Sequence, residues 1–340
     1  VITSKILPQD SGKKLHRYLR QTLPGMPLSG VYKMIRVGRV KVNGVKGKME
    51  TVLQPGDELT LYLREEEYES LARSVRKFGG VSTDISVIHE DDHLLILNKP
   101  VGLLTHPDAQ EHKDTLINRA LAYLHGHGEI EHGRSFLPAT VNRLDRNTSG
   151  LVLIGKDAQT LRDLAEQIRR HKIKKHYLAI VWGKLEGPGE IDLSLVRDTA
   201  SQVTRPLARS LDQALGKVAL TRYRPLASAA GFTLIEVELI SGRTHQIRAH
   251  LQSIRHPLLG DIKYGGKPAF DVNHHLLHAY GLALADGRTF VAPPSPLFFD
   301  ILQKTGLTRG LAETSLPLVD VLRDRVTQAE PPRESRRSRG

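Results

Sequence analysis

Asn142-Arg143-Leu144-Asp145-Arg146-Asn147-Thr148-Ser149-Gly150 runs directly into four apolar residues, Leu151-Val152-Leu153-Ile154. A short apolar run bounded by turn residues predicts a buried strand. An Asp on the turn that feeds it, with Arg on either side, is an acid held rigidly in a basic pocket. In isolation, structural ion pairs at a turn explain the stretch as well. Two later segments widen the pattern. Residues 168–177 (Ile-Arg-Arg-His-Lys-Ile-Lys-Lys-His-Tyr) hold five Lys and Arg among them and no acid before a strand that opens at Tyr177, a composition suited to an RNA backbone beside one splayed base. An exposed helix end before a core tyrosine is the plainer alternative. Ser241-Gly242-Arg243-Thr244-His245-Gln246-Ile247-Arg248 begins a helix on which Ile247, Leu251 and Ile254 form an apolar stripe. Arg248 lies at the edge of that stripe and can turn inward to a buried carboxylate, although a surface Arg is the ordinary case.

Around these segments, strands and helices intermix. Residues 85–88 and 94–97 read as a hairpin about Glu90-Asp91-Asp92, closed by Lys99-Pro100. Leu161, Leu164, Ala165 and Ile168 define an amphipathic helix, while 177–182 and 232–240 are strand-like. The expectation is an α+β body over residues 82–310, with a mixed, mainly antiparallel central sheet flanked by helices.

The first 64 residues have their own pattern. Leu15, Tyr18, Leu19 and Leu23 recur at helical spacing up to Pro24-Gly25, and Ser29 is placed to cap a second helix carrying Val31, Met34 and Ile35. Val40 and Val42 alternate into Asn43-Gly44, and Leu59, Leu61 and Leu63 alternate after Gln54-Pro55-Gly56-Asp57. Lys33, Arg36, Arg39, Lys41, Lys46 and Lys48 take the outward positions. Residues 65–81 read as a linker. Residues 311–340 read as an extension whose Pro-, Ser- and Arg-rich end is disordered.

The net charge of +12 is concentrated at the ends. Residues 1–64 carry 12 Lys and Arg against 4 Asp and Glu, and residues 323–340 carry 6 against 3. Such placement suits a polyanion, since released counterions supply affinity. A basic surface kept for solubility would look similar. The absence of cysteine excludes disulfides, thiolate zinc and cysteine nucleophiles. Neither a membrane-length apolar run nor a secretory leader is visible, so a cytoplasmic monomer with no membrane or DNA partner is expected. No phosphate-cradling Gly-rich loop supports ATP use, and His125, His127 and His132 lie in a polar stretch that reads as solvated rather than as a metal site. His274, His275 and His278 read as strand-face and core-edge residues. Metal and cofactor are both expected to be absent.

Two resemblances sharpen this picture. Residues 28–44, from Leu28-Ser29-Gly30 to Val42-Asn43-Gly44, together with Pro55-Gly56-Asp57, resemble the alpha-L RNA-binding domain of ribosomal proteins. That likeness implies a grip on structured RNA through residues including Arg36, Arg39 and Lys41. Further on, Arg143-Leu144-Asp145 with Thr148-Ser149-Gly150, Lys175-x-Tyr177-x-Ala179 and Gly242-Arg243-Thr244-His245-Gln246-Ile247-Arg248 resemble, in this order, the RluA-type pseudouridine synthases. The Asn98-Lys99-Pro100-x-Gly102 entry and the Gly260-Asp261 and Tyr264-Gly265 pairs are also similar.

The resemblance implies Asp145 as the nucleophilic carboxylate, Arg248 as its salt-bridge partner and Tyr177 against the target base. It also implies that Arg143 fills the space a flipped uridine leaves, with Arg146, Arg169, Lys174 and Lys175 among the RNA contacts. Large-subunit ribosomal RNA is the implied substrate. Transfer RNA, or a non-catalytic role in ribosome assembly, are the alternatives. One position departs: Asn142 stands where the family usually has His. The chemistry fits the residues, because isomerising a uridine needs one ionised carboxylate, a dry pocket and a way to extrude the base, and no redox group, metal or ATP. Attack on the anomeric carbon and abstraction of a sugar proton to give a glycal are both open to Asp145.

Overall fold

The structure, a computed structural model, describes residues 1–72, 80–130, 136–198, 201–207 and 216–308. The expected disorder at the C-terminal end falls outside these residues, as does His132. Two compact units are present, one of Val1–Ile85, His106–Thr140 and Ile154–Arg162, the other of Ser86–Thr105, Val141–Leu153 and the chain from Asp163 onward. No described helix is long and apolar enough to cross a membrane.

In the first unit, the helices Leu15–Thr22 and Leu28–Arg36 cover a four-stranded sheet ordered Ile2–Lys5, Glu58–Leu61, Val40–Val42, Val45–Lys46. Leu15, Leu19, Leu23, Val31, Ile35, Val40, Leu59 and Leu61 form its buried core. Asn43 and Gly44 both take positive φ, 51° and 77°, as a two-residue hairpin turn requires. The Asn43 side chain then clamps the next turn, donating to Asp57 at 2.8 Å and accepting from the Glu58 N–H at 2.8 Å. Two expectations are corrected. Ser29 does not cap the second helix: Pro27 is its N-cap, and no side chain caps it. Residues 65–72 are not an open linker but the helix Glu65–Ala72, whose Tyr68, Leu71 and Ala72 pack on the same core. Three apolar residues among four Glu were enough to anchor it, and the Leu71 carbonyl accepts from the Gly25 N–H at 2.9 Å.

The larger sheet has ten strands among the described residues. Its main path runs Gly189–Asp192, Leu220–Ala229, Phe232–Leu239, Lys174–Trp182, Leu277–Ala283, Ser149–Gly155, Leu94–Lys99, Val87–Glu90. Leu277–Ala283 pairs in parallel with Ser149–Gly155 and antiparallel with Lys174–Trp182, which gives the mixed, mainly antiparallel sheet. Side chains alternate across the central strand. Leu178 and Ile180 enter a core with Leu234, Tyr280, Phe298 and Ile301, while Tyr177 faces the other way.

Gly150 sits where the two parallel strands meet, with φ +113°, and a Cβ there would lie 2.2 Å from the Ala279 carbonyl oxygen. Neither the dihedral nor the spacing admits a side chain. Gly150→Ala is therefore expected to destabilise the fold by roughly 3–5 kcal/mol, visible as a lowered Tm. An unchanged melt would show that the strands separate at no cost.

Candidate active site

The loop from Asn142 to Thr148 is pinned from several sides. Asn142 donates to the Leu151 carbonyl at 3.1 Å and accepts from the Leu153 N–H at 2.8 Å, so it is a clamp on the strand it precedes. The Thr105 hydroxyl donates to the Leu144 carbonyl at 2.9 Å and accepts from the Leu144 N–H at 3.1 Å. Lys99 is fully buried, and its Nζ donates to the carbonyls of Pro100, Leu103 and Arg146 at 2.8, 2.7 and 2.9 Å. Three acceptors match the three N–H bonds of an ammonium. Burial pulls Lys99 down to about 7, with Asp145 acting in the opposite direction.

Two histidines complete the support. Thr148 Oγ1 meets His275 Nε2 at 2.9 Å, and Ser149 Oγ meets His278 Nδ1 at 2.9 Å while His278 Nε2 reaches the Ala292 carbonyl at 3.0 Å. A carbonyl only accepts, so His278 carries its proton on Nε2 and takes the Ser149 hydroxyl hydrogen on Nδ1. Burial pushes His275 down to about 2 and His278 to about 4, and both are neutral at pH 7. These residues were read from the sequence as strand-face and core-edge histidines. Their bonds to the Thr-Ser pair show them to be loop supports.

With the backbone fixed, Leu144 is buried, Arg143 is exposed, and the Asp145 side chain retains 25% exposure. Asp145 opens into a solvent-open cleft lined by Arg143, Thr148, Tyr177, His245, Ile247 and Arg248, among others. Tyr177 is 6% exposed, and burial, reinforced by Asp145, pushes its hydroxyl above the ordinary tyrosine range. The group is neutral at pH 7 and a poor proton donor.

Arg248 is placed differently from the expected simple pair. Its Nε and Nη2 bind Asp261 Oδ2 and Oδ1, both at 2.7 Å, whereas Nη1 reaches Asp145 Oδ2 only at 3.4 Å. The bidentate fork belongs to Asp261, and Asp145 receives the remaining corner. Burial lowers the Arg248 pKa, but Asp261 and Asp145 outweigh it and hold it above the usual value. Its guanidinium lies 4.6 Å from the Tyr264 ring centroid. Asp261 was visible in the sequence only as part of a Gly-Asp pair, with no role attached.

The remaining cations divide. Arg143 lines the cleft, but Arg146, Arg169 and Lys174 do not. Arg146 contributes its carbonyl, which takes the Lys99 bond and the Gly102 N–H at 3.0 Å. Arg169 and Arg170 both pair with Glu166, one helical turn earlier, so that basic run is partly neutralised. Lys175 is only 7% exposed and cannot form the open backbone-binding edge that the sequence suggested. Its Nζ lies 3.8 Å from where a Gly242 Cβ would stand, and burial draws it down to about 8. Among the described residues no group of three or more His, Asp and Glu is placed to hold a metal ion.

An RNA pseudouridylate synthase family model matches residues 93–253, which span the Asp145 loop, Tyr177 and Arg248. Ribosomal large subunit pseudouridine synthase C of Escherichia coli K12 is 32% identical over 295 residues, covering 82% of this chain and 86% of that protein. The Bacillus subtilis uncharacterized RNA pseudouridine synthase YlyB is 31% identical over 299 residues, covering 87% of this chain and 94% of its own. The solved structure of human RNA pseudouridylate synthase domain containing 4 shares the fold, with a TM-score of 0.54 at 24% identity over 65% of this chain and 92% of that one. The chain belongs to the RNA pseudouridine synthase family, of the RluA type that its three motifs resemble, and is accordingly an isomerase.

Proposed function

We propose that this chain converts uridines of large-subunit ribosomal RNA to pseudouridine, with Asp145 as the reacting carboxylate. The substrate follows the names of the Escherichia coli and Vibrio cholerae relatives, both ribosomal large subunit pseudouridine synthases. The role of Asp145 rests on one geometric fact: Arg248 Nη1 approaches its Oδ2 at 3.4 Å in a cleft that Tyr177 also lines, while no described residue bonds its Oδ1. An oxygen so presented faces the sugar of an extruded nucleotide. Arg143, on the loop beside it, fills the vacated stack, and the Tyr177 ring packs on the base.

Incubating the protein with unmodified large-subunit ribosomal RNA and transfer RNA, then mapping carbodiimide-reactive bases, tests this. New pseudouridines in ribosomal RNA, with RNA mass unchanged, are expected. Modification confined to transfer RNA would replace the substrate, and free uracil would replace isomerisation by hydrolysis.

Residues 1–64 serve in this proposal as the grip on structured RNA. Arg36 and Arg39 are exposed beside the Asn43-Gly44 hairpin, and Lys41 lies over the Tyr62 ring at 5.3 Å. Replacing Arg36, Arg39 and Lys41 with Gln is expected to weaken RNA affinity and to flatten the slope of log K against log salt by roughly two to three. A titration series with the slope intact would remove these residues from the RNA contact.

A further inference from the structure

We propose that His245 and Tyr264 are a positioning pair that fixes which oxygen of Asp145 reacts. This rests on Asp145 being the reacting carboxylate. Tyr264 is buried, at 5% exposure, and its Oη accepts the Thr204 N–H at 2.9 Å. His245 Nδ1 lies 2.8 Å from the same Oη, and in this proposal the hydroxyl hydrogen goes to that contact. A neutral imidazole that accepts at Nδ1 carries its proton on Nε2. His245 Nε2 faces Asp145 Oδ2 at 3.8 Å, the same oxygen that Arg248 Nη1 approaches at 3.4 Å. One N–H donor at the long end of hydrogen-bond distance and a second nitrogen at ion-pair distance therefore share Oδ2. Both contacts are long in the free protein, as catalytic hydrogen bonds often are before substrate closes the site.

One Tyr264 ring organises both donors. Arg248 stacks 4.6 Å from its centroid, and the His245 ring meets it nearly perpendicular, at 84° with centroids 5.6 Å apart. His245 also has φ 54°, a left-handed conformation that a non-glycine residue keeps only where its surroundings impose it. The next residue imposes it here. Gln246 Oε1 accepts from the Arg243 N–H and the Ser241 hydroxyl, and Gln246 Nε2 donates to the Leu220 carbonyl and Thr221 Oγ1. A carboxylate held by a single long contact can rotate. Two donors closing on one oxygen as substrate seals the site would hold its plane and leave Oδ1 for the sugar.

Asp145, Arg248, Lys263, Arg197, Tyr264 and His275 surround His245. Burial lowers its pKa, Arg248, Lys263 and Arg197 press the same way, and Asp145 alone opposes them. Neutral His245 at pH 7 thus needs Tyr264 to orient its ring. Once protonated it carries hydrogen on both nitrogens and is drawn to Asp145 directly, so the hydroxyl becomes dispensable.

The test is single-turnover isomerisation by the full chain from pH 8 down through the His245 titration, located by NMR of the wild-type ring, with RNA affinity and Tm measured alongside. His245→Asn tolerates the left-handed backbone and is too short to reach Asp145. It is expected to slow the rate about 30-fold at every pH, with RNA affinity within about two-fold of wild type. Tyr264→Phe keeps the ring beneath Arg248 and loses only the hydroxyl. Its rate is expected to fall about ten-fold at pH 8 and to recover toward wild type once the pH drops below the His245 titration. A Tyr264→Phe deficit equal at all pH values would mark a mere structural prop and overturn the proposal, as would wild-type rates in His245→Asn. Asp145→Asn separates the two layers: turnover in that variant refutes the reacting carboxylate itself, whereas an inactive Asp145→Asn beside a fully active His245→Asn refutes only the positioning pair.

Discussion

Asp145→Asn is expected to lower single-turnover pseudouridine formation by on the order of 10⁴-fold or more, the size of loss seen when a covalent catalyst is removed, while RNA affinity and Tm stay close to wild type. The amide keeps the shape of the carboxylate, so Leu144, Thr148 and the Lys99 clamp have no reason to move. Removing one partner of a buried ion pair normally leaves a costly uncompensated charge. Arg248 escapes that penalty, because its strong pairing, two contacts of 2.7 Å, is with Asp261, and Asp145 is only its 3.4 Å neighbour. Loss of chemistry with retention of fold is thus built into the geometry. A variant that melts many degrees lower would show that Asp145 is structural, and one that turns over normally would remove it from the reaction.

That Asp145, Tyr177 and Arg248 share one cleft was legible in the sequence, because each lies beside an element with a strong local pattern. Asp145 precedes a fully buried strand, Tyr177 sits within another, and Arg248 flanks an apolar helical stripe. The supports were less legible for a physical reason. Lys99, Thr105, His275 and His278 act on the loop from 39 to 129 residues away, and only the pairing of Leu277–Ala283 with Ser149–Gly155 brings the two histidines to it. Nothing local marks a histidine as the partner of a distant serine. In 168–177, a count of cations does not show that Arg169 and Arg170 pair with Glu166 one turn earlier. By contrast, the helix Leu116–Gly126 was within reach: Thr115 caps it, and Leu116, Ile117, Ala120, Leu121 and Leu124 repeat at helical spacing.

Asp261→Asn should damage both stability and chemistry, through different routes that a second variant separates. The Asp261 side chain is 1% exposed and holds a guanidinium that is itself 9% exposed, so its neutralisation leaves Arg248 buried with only a distant, partly solvated counter-ion. Breaking such a pair costs roughly 3–5 kcal/mol, which for a chain of this size lowers Tm by about 10 °C. Arg248 then has one carboxylate left to seek. Its collapse onto Asp145 would convert a loose 3.4 Å contact into a full ion pair and draw that carboxylate out of the cleft, with an expected loss of about 100-fold in single-turnover rate. The double variant Arg248→Met, Asp261→Leu removes both charges and fills the site with apolar groups, and buried pairs replaced in this way are often neutral or stabilising. Tm is therefore expected to return while the rate does not, because Asp145 has lost the donor that fixes it. Recovery of both would mean that Arg248 serves only the fold, and recovery of neither would mean that the apolar pair fails to pack where the fork once lay.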